Sequence, residues 1–357
     1  MKQLAVGIAG TAKNTGKTTT TRVLLEYFQG REVGIGITSI GYDGERVDNI
    51  TGLPKPRIFL QKGDFAAVSE KCLDVSSARM KIMDRMDIHT PLGRVVCGQV
   101  MKEGLMVVAG PNQSGHLRKI RQWMSHQEAG LVIVDGALNR IAPMVETDGF
   151  ILATGAAHTV DSDRLALETH SIGVICNHPE VTGIPFPVKS PGRSVIWSLE
   201  GDMLAELPAF LFEPEDLAGA ARLLDNASVF YCPGVISGPC LRYMGDLSFR
   251  EGMKFIFDDP VKLLLSDVIT AHRFVEKITA KGGRVGYLRS LPLLAVTVNP
   301  FYPGCRYGAH QYQADYIDRE ILLSRVKAAV DVPVIDVVTG GPDQLGGLLE
   351  SLMLCQK

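Results

Sequence analysis

Residues 4–19 read LAVGIAGTAKNTGKTT, and this stretch decides the fold class of the N-terminal half of the chain. Leu4–Ala9 is a continuous apolar run that ends at Gly10, which predicts a buried β-strand. Residues 17–29 then place apolar side chains at helical spacing, and Gly30 closes the predicted helix. A strand, a short polar loop and a helix in immediate succession are typical of the first unit of an α/β domain.

The loop between these two elements has the composition of a phosphate-binding site. Gly16 allows close approach of the backbone, Lys17 can reach the β- and γ-phosphates, and Thr18 can ligate Mg²⁺. The standard spacing G-x-x-x-x-G-K-[ST] requires glycine where this chain has Thr11, and glycine comes one residue earlier, at Gly10. An incidental strand-to-helix turn is the alternative, but the flanking strand and helix favour phosphate binding. The expected contact residues are Gly10, Thr11, Lys13, Asn14, Thr15, Gly16, Lys17, Thr18 and Thr19.

Two acidic residues are candidates for the metal and for catalysis beside Lys17. Asp135 ends the apolar run LVIVDG, so it is expected at the carboxyl end of a strand, facing the phosphates. Asp43 follows the second predicted strand and could approach Mg²⁺ or the attacking group. Each aspartate precedes a glycine, so a plain turn is the alternative for both, and more strongly for Asp43. The predicted metal ligands are therefore Thr18, Asp135 and Asp43.

Further apolar runs predict the rest of the N-terminal sheet. They occupy Val33–Ile40 and residues 104–110, 131–136, 149–155 and 172–177. Because these runs do not alternate with polar residues, they predict strands covered on both faces, and intervening helices predict parallel crossovers. We therefore expect an α/β fold with a doubly wound, mostly parallel sheet, whose ligands bind beyond the carboxyl ends of the strands.

Composition shifts divide the chain into three parts. Residues 1–182 form the predicted nucleotide-binding domain, with an insertion at about 45–100 that we expect to be partly helical over 64–87. Prolines and glycines cluster in a transition over 183–225. A second α/β domain is expected over 226–357, with strands at 229–232, 254–259, 293–298 and 333–338 and a helix at 261–281.

Charge and cysteine usage exclude several classes of protein. The 357 residues contain 37 Lys and Arg against 39 Asp and Glu, which predicts no global attraction to nucleic acid or to anionic membranes. No apolar run approaches the roughly 18–20 residues that span a bilayer. The seven cysteines are scattered and form no CxxC pair, which favours reduced thiols in a cytoplasmic protein.

The nucleotide motifs resemble those of a known family. GTAKNTGKT (10–18) is similar to the loop of dethiobiotin synthetase and the cobyrinate amide synthases, which belong to the SIMIBI class of P-loop NTPases. VDGA (134–137) matches the acidic motif that binds Mg²⁺ in that group, and GVICN (173–177) matches a strand end whose Asn177 would contact adenine. The resemblance implies ATP and Mg²⁺ as ligands. The substrate-binding lysine of dethiobiotin synthetase is absent, since SIGYDGE (39–45) stands at that place.

TSIGYDGE (38–45) and VIVDGALNR (132–140) also resemble the P-loop subunit of the lysine 5,6-aminomutase reactivase. That resemblance implies an ATPase with a MutS-like partner subunit and a cobalamin-dependent aminomutase as client. Lys13 lies near the position where some related loops carry a lysine that reaches across a homodimer, and a solvated lysine is the alternative.

Three functions remain open from the sequence. In the first, ATP hydrolysis drives a conformational change in a protein partner. In the second, ATP phosphorylates a small-molecule carboxylate or carbamate. The second requires a cation facing the γ-phosphate, and none is evident after the second strand, so the sequence favours the first. A regulator that binds nucleotide without hydrolysing it is a third possibility. Arg140 could supply positive charge, or form a surface ion pair instead.

Overall fold

The computed structural model describes residues 3–41, 58–182, 192–305 and 312–355. The chain divides into two units that are not contiguous in sequence. Unit 1 comprises Met1–Ala166 and Leu293–Lys357, and unit 2 comprises Leu167–Pro292. By Ala166 the chain has supplied most strands of the main sheet of unit 1 and one short pair of strands. The remaining strands of unit 1 follow after Leu293, where the chain returns from unit 2.

The described strands alternate with helices through most of the chain, as expected for an α/β protein. In chain order the strands are β1 (Leu4–Gly10), β2 (Gly34–Ser39), β3 (Ile58–Leu60), β4 (Phe65–Ser69), β5 (Arg79–Thr90), β6 (Gly93–Lys102), β7 (Gly104–Met106), β8 (Ala129–Ala137), β9 (Gly149–Gly155), β10 (Arg193–Ser198), β11 (Met203–Pro208), β12 (Ala227–Cys232), β13 (Lys254–Phe257), β14 (Arg284–Tyr287), β15 (Leu293–Asn299), β16 (Phe301–Cys305), β17 (Tyr312–Tyr316) and β18 (Val334–Ile335).

The described α-helices range from single turns to about four turns. They are α1 (Lys17–Phe28), α2 (Glu70–Asp74), α3 (Ser114–His126), α4 (Ser162–Cys176), α5 (Gly238–Asp246), α6 (Val261–Leu264), α7 (Val268–Ala280), α8 (Arg319–Ala329) and α9 (Gly341–Cys355). None of these helices, within the described ranges, combines the length and apolarity needed to cross a bilayer.

A sheet of nine described strands, in the order β18-β15-β9-β1-β8-β2-β4-β6-β5, forms the centre of unit 1. The first seven strands in this order pair in parallel, and β6 and β5 extend the sheet as an antiparallel hairpin. Every residue of β1 and β9 is buried, because helices and loops cover both faces. The expected α/β class and mostly parallel sheet are confirmed.

Helices α1 and α9 pack together on this sheet. The Tyr27 hydroxyl of α1 donates a hydrogen bond to Glu350 Oε2 of α9 at 2.7 Å. The helices approach closely because Gly346 has no side chain, and a Cβ there would lie 1.9 Å from Tyr27 Cγ. The C-terminal helix thus belongs to the hydrophobic core that also contains the first strand.

Unit 2 contains a mixed sheet in the order β11-β10-β12-β13-β14. Strands β12, β13 and β14 are parallel, whereas β10 and β11 are antiparallel. Its core is rich in aromatic residues, since Phe255 contacts Phe230, Phe249 and Phe274 through tilted or edge-on rings.

Two predicted strands of the N-terminal sheet are wrong. Residues 104–110 form a strand only over Gly104–Met106, and this short β7 pairs with β3 outside the main sheet. Residues 172–177 are expected as a strand, but they form the last turn of α4 and the residue after it. An apolar run of this length fits either a strand or a buried helix face, and the helical pattern that begins at Ser162 continues through it.

The predicted domain organisation also needs correction. Of the insertion at 45–100, residues 64–87 are mainly strand rather than helix, and α2 has only five residues. The segments 293–298 and 333–338 join the sheet of unit 1 instead of a separate domain over 226–357. Part of the expected transition, 183–191, lies outside the described residues, and the rest includes β10 and β11. The residues from Leu293 onward belong to unit 1 because β15 pairs with β9.

Candidate functional site

A cavity of about 690 Å³ lies where the parallel strands of unit 1 end. This is the edge of the sheet at which α/β proteins bind ligands, and the volume is in the range of small-molecule sites. The lining comes from the loop after β1, from the ends of β2, β8 and β15, and from the β3–β7 pair. It consists of Gly10, Ala12, Lys13, Asn14, Gly16, Lys17, Thr18, Thr19, Arg22, Ser39, Ile40, Gly41, Ile58, Phe59, Leu105, Val107, Val108, Asp135, Ala137, Arg140, Asn299 and Phe301.

The loop between β1 and α1 has two residues in the left-handed backbone region. Asn14 has φ 64° and Gly16 has φ 95°. Asparagine and glycine are the residues that adopt this conformation most readily, which explains their place in the loop. The Thr15 hydroxyl donates to the carbonyl of Ala12 at 2.9 Å and closes the turn from inside.

Helix α1 begins at Lys17, immediately after this turn. Gly16 is the N-cap and makes no side-chain capping hydrogen bond. The first backbone N–H groups of any helix have no partner within the helix, and their dipoles create positive potential. Further along, the Thr20 and Thr21 hydroxyls donate to the carbonyls of Gly16 and Lys17. Thr18 and Thr19 line the cavity.

The charged groups at the centre of the site form an ion pair. Lys17 Nζ lies 3.2 Å from Asp135 Oδ2, and the two side chains are 22% and 19% exposed. Asp135 is held on β8 in register with Ile8 of β1 and Ser39 of β2. The main sheet therefore places the carboxylate beside the lysine, although the two residues are far apart in the sequence.

Most of the residues predicted from the sequence are brought together here. Gly10, Lys13, Asn14, Gly16, Lys17, Thr18, Thr19 and Asp135 line one cavity. Thr11 and Thr15 belong to the loop but do not line the cavity, and the Thr11 hydroxyl donates to Thr154 Oγ1 at 3.1 Å. Asp43 lies outside the described residues, so its predicted role stays a prediction.

The structure does not support the predicted contact between Asn177 and adenine. The assignment to adenine depends on a strand end at this position, but Asn177 follows the last residue of helix α4. It belongs to unit 2 and is not among the residues that line the cavity.

Asn299 is a site residue that the sequence pattern does not reveal. It ends β15, and its Nδ2 donates to the carbonyl of Asn14 at 2.9 Å. A Cβ on Gly16 would lie 3.4 Å from Asn299 Cβ, so the side chain packs against the turn. An asparagine directly after the apolar run LLAVTV is the available signal, but the sequence places that run in a different domain.

One wall of the cavity is apolar. Phe59 of β3 and Leu105 of β7 line it and are 43% and 40% exposed. Arg140, in the 3-10 turn after β8, also lines the cavity and lies next to the backbone of Gly41. Gly41 has φ 70°, and a Cβ there would lie 3.5 Å from Arg140 Nη1. The cavity therefore combines a polar loop, a cationic side chain and an apolar surface.

Comparisons with protein-family models, curated proteins and solved structures found no match for this chain.

The donor set determines which ligands fit. Asn14 Nδ2 is buried and has no hydrogen-bond partner among the described residues. Together with the uncapped start of α1 and Lys17, this donor suits an anion. Thr18 and Asp135 bring a hydroxyl and a carboxylate to the same cavity, and Mg²⁺ prefers such hard oxygen donors. Across the described ranges, no three His, Cys, Asp or Glu side chains cluster to hold a metal by themselves.

Proposed function

We propose that this chain is a P-loop NTPase of the SIMIBI class that binds and hydrolyses ATP with Mg²⁺. One observation carries the proposal: the uncapped N-terminus of α1, Lys17 and Asp135 meet in one cavity at the carboxyl edge of a parallel sheet. A nucleoside triphosphate with Mg²⁺ would use all three groups, because its phosphates bind backbone donors and a lysine and its metal ion binds a carboxylate.

The chain's own residues have distinct roles in this proposal. Backbone N–H groups of the turn and of the first turn of α1 bind the phosphate oxygens. Lys17 leaves Asp135 and contacts the β- and γ-phosphates, while Thr18 and Asp135 hold Mg²⁺. When bound, Mg²⁺ neutralises charge on the phosphates and keeps them aligned for attack. Catalysis then depends mainly on positioning and electrostatics, since phosphoryl transfer needs little covalent help from the protein.

The small number of protein ligands agrees with this use of Mg²⁺. In nucleotide sites the ion usually binds one or two protein oxygens, and phosphate oxygens and water complete its octahedral shell. Thr18 and Asp135 supply that number.

We further propose that ATP hydrolysis acts on a protein partner. Support comes from the sequence resemblance to the aminomutase reactivase, which implies a MutS-like subunit and an aminomutase client. The near-neutral charge supports neither nucleic acid nor an anionic membrane as partner, and a cytoplasmic location is part of the proposal.

A second candidate function is favoured by the residues that line the cavity. Arg140 and the wall of Phe59 and Leu105 lie on the same cavity as the loop. The sequence shows no such cation after β2, but the structure places Arg140, in the turn after β8, on the cavity lining. An acceptor with a carboxylate and an apolar body would fit there. Its carboxylate oxygen would bond to the γ-phosphorus, the bond to the β,γ-bridging oxygen would break, and ADP would leave with an acyl phosphate as product.

Calorimetry of ATP binding tests the nucleotide site. Lys17→Ala removes a charge-assisted contact to phosphate and should weaken binding about 10- to 100-fold, since such contacts contribute about 1.5–3 kcal/mol. Lys119→Ala, an exposed lysine of α3 that does not line the cavity, is the matched control and should bind as the wild type does. Equal ATP affinity for Lys17→Ala and wild type would reject the site.

Phosphate release distinguishes the two candidate functions. The isolated chain should hydrolyse ATP without an added small molecule if it acts on a protein, and a co-purifying protein should stimulate the rate. Turnover that occurs only with an added medium-chain monocarboxylate, with one acyl phosphate formed per ADP, would instead support the second candidate. Binding of ATP with no turnover in either assay would reject both.

A further inference from the structure

The connection between the phosphate loop and the segment after β15 is made by one side chain. Asn299 Nδ2 donates to the carbonyl of Asn14 at 2.9 Å. Its Oδ1 accepts from the backbone N–H of Phe301 at 3.1 Å, and its carbonyl accepts from Ala156 N–H at 2.9 Å. The side-chain amide of Asn299 therefore binds the loop through its nitrogen and the segment after β15 through its oxygen.

That segment is a hairpin of β16 and β17 beside the cavity. Phe301 pairs with Tyr316 in the antiparallel register, and their rings meet edge to face at 5.8 Å. Phe301 also lines the cavity, whereas the Tyr316 side chain is 63% exposed. One ring of this cross-strand pair therefore borders the cavity, and the other is largely exposed.

The loop that Asn299 holds has two residues with positive φ angles. The carbonyl held by Asn299 belongs to Asn14, which has φ 64°, and Gly16 with φ 95° packs against the same side chain. Asn299 therefore holds a backbone carbonyl of the same turn whose N–H groups would bind phosphate in the proposed site. Two sites are coupled when one element has different contacts in the bound and free states.

We infer that Asn299 is a positioning residue that couples phosphate binding at the 10–19 loop to the β16–β17 hairpin. The inference rests on the proposed nucleotide site. It adds the route by which nucleotide binding reaches an exposed surface of unit 1. Reciprocity then requires that a molecule which stabilises the bound form of the hairpin also tightens nucleotide binding.

Hydrogen exchange followed by mass spectrometry tests the coupling. Wild-type protein is measured alone and with saturating Mg²⁺ and the β,γ-imido analogue of ATP. The analogue should slow exchange in the described hairpin residues 301–305 and 312–316 by about fivefold or more, the lower end of typical allosteric coupling. Asn299→Ala should remove this difference at saturation while the analogue still binds.

Two further variants separate coupling from general damage to the fold. Asn299→Asp keeps the acceptor for Phe301 N–H but loses the donor to Asn14, so it should also lose the nucleotide-dependent difference. Gln313→Ala alters an exposed side chain of the same hairpin and should keep it. A purely structural role of Asn299 would change exchange equally with and without the analogue.

The outcomes distinguish this inference from the proposed function. If calorimetry detects no binding of the analogue to the wild type, the nucleotide site itself is wrong. If the analogue binds but hairpin exchange does not change, the inference is wrong and the site stands. The inference is likewise wrong if Asn299→Ala and Asn299→Asp both retain the wild-type difference.

Discussion

The ion pair between Lys17 and Asp135 predicts an effect whose sign depends on magnesium. Lys17 must leave Asp135 to contact a phosphate, and Asp135 must leave Lys17 to hold a metal ion. Without metal, Asp135 only competes with the phosphate for the lysine. We therefore expect Asp135→Asn to strengthen ATP binding in the absence of Mg²⁺ and to weaken it in the presence of Mg²⁺.

The size of the effect follows from the geometry of the pair. At the observed 3.2 Å, an effective dielectric constant of ~20 gives a Coulomb attraction of about 5 kcal/mol. Lost hydration of both ions offsets most of it, which leaves ~1–2 kcal/mol for a pair that is mostly buried but still in contact with water. Since 1.4 kcal/mol corresponds to a factor of ten, ATP should bind about tenfold more tightly to the variant in EDTA.

Calorimetric titration of ATP in EDTA and in MgCl₂ measures both effects. Asp163→Asn is the matched control, because Asp163 forms an exposed ion pair with Arg325 at 3.3 Å and does not line the cavity. Unchanged or weaker binding of ATP to Asp135→Asn in EDTA would refute the competition for Lys17. If Mg²⁺ strengthened ATP binding equally in variant and wild type, Asp135 would not be a metal ligand.

Three other changes probe the turn, the packing of unit 1 and the titration of unit 2. Gly16→Ala should weaken ATP binding about tenfold in calorimetry, because a left-handed backbone costs an L-residue ~1–2 kcal/mol. Gly346→Ala should lower the free energy of unfolding by about 1–3 kcal/mol in urea titrations, since its Cβ would clash with Tyr27. Gly347→Ala, whose Cβ would lie 3.8 Å from the Tyr27 hydroxyl, should be neutral or stabilising by up to ~1 kcal/mol. Burial lowers the pKa of His272 from its usual 6.5, so the unfolded chain binds more protons below that pH, and stability falls as the solution is acidified. His272→Gln should reduce this loss between about pH 7.5 and about pH 5.5 in the same titrations.

The parts of the site that the sequence predicts are those made by neighbouring residues. The strand, the turn and the helix of residues 4–28 depend on local patterns of apolar residues and glycine. Asp135 is recognisable because it ends a long apolar run, and such runs end at the carboxyl edge of a parallel sheet. The positions of β8 and β9 follow from the same pattern.

The parts that the sequence does not predict depend on pairing between distant segments. Asn299 contacts Asn14 although 285 positions separate them in the sequence, and no local pattern predicts such a contact. Hydrophobicity alone cannot decide between a strand and a helix for residues 172–177, nor identify which sheet β15 joins. The segment 79–90 forms a strand although most of its residues are exposed, because it pairs with β6 at the edge of the sheet.

The division of unit 1 in the sequence has a consequence for the site. Strand β15 lies beside β9, and Asn299 reaches the loop between β1 and α1 only because the chain returns from unit 2 to this position. Helix α9 packs on α1 through Tyr27, so the C-terminal residues also support the helix that begins at Lys17. Residues 1–182 therefore contain most of the groups that would contact phosphate but lack the side chain that holds the Asn14 carbonyl. Residues from both segments of unit 1 therefore contact the loop or the helix that follows it.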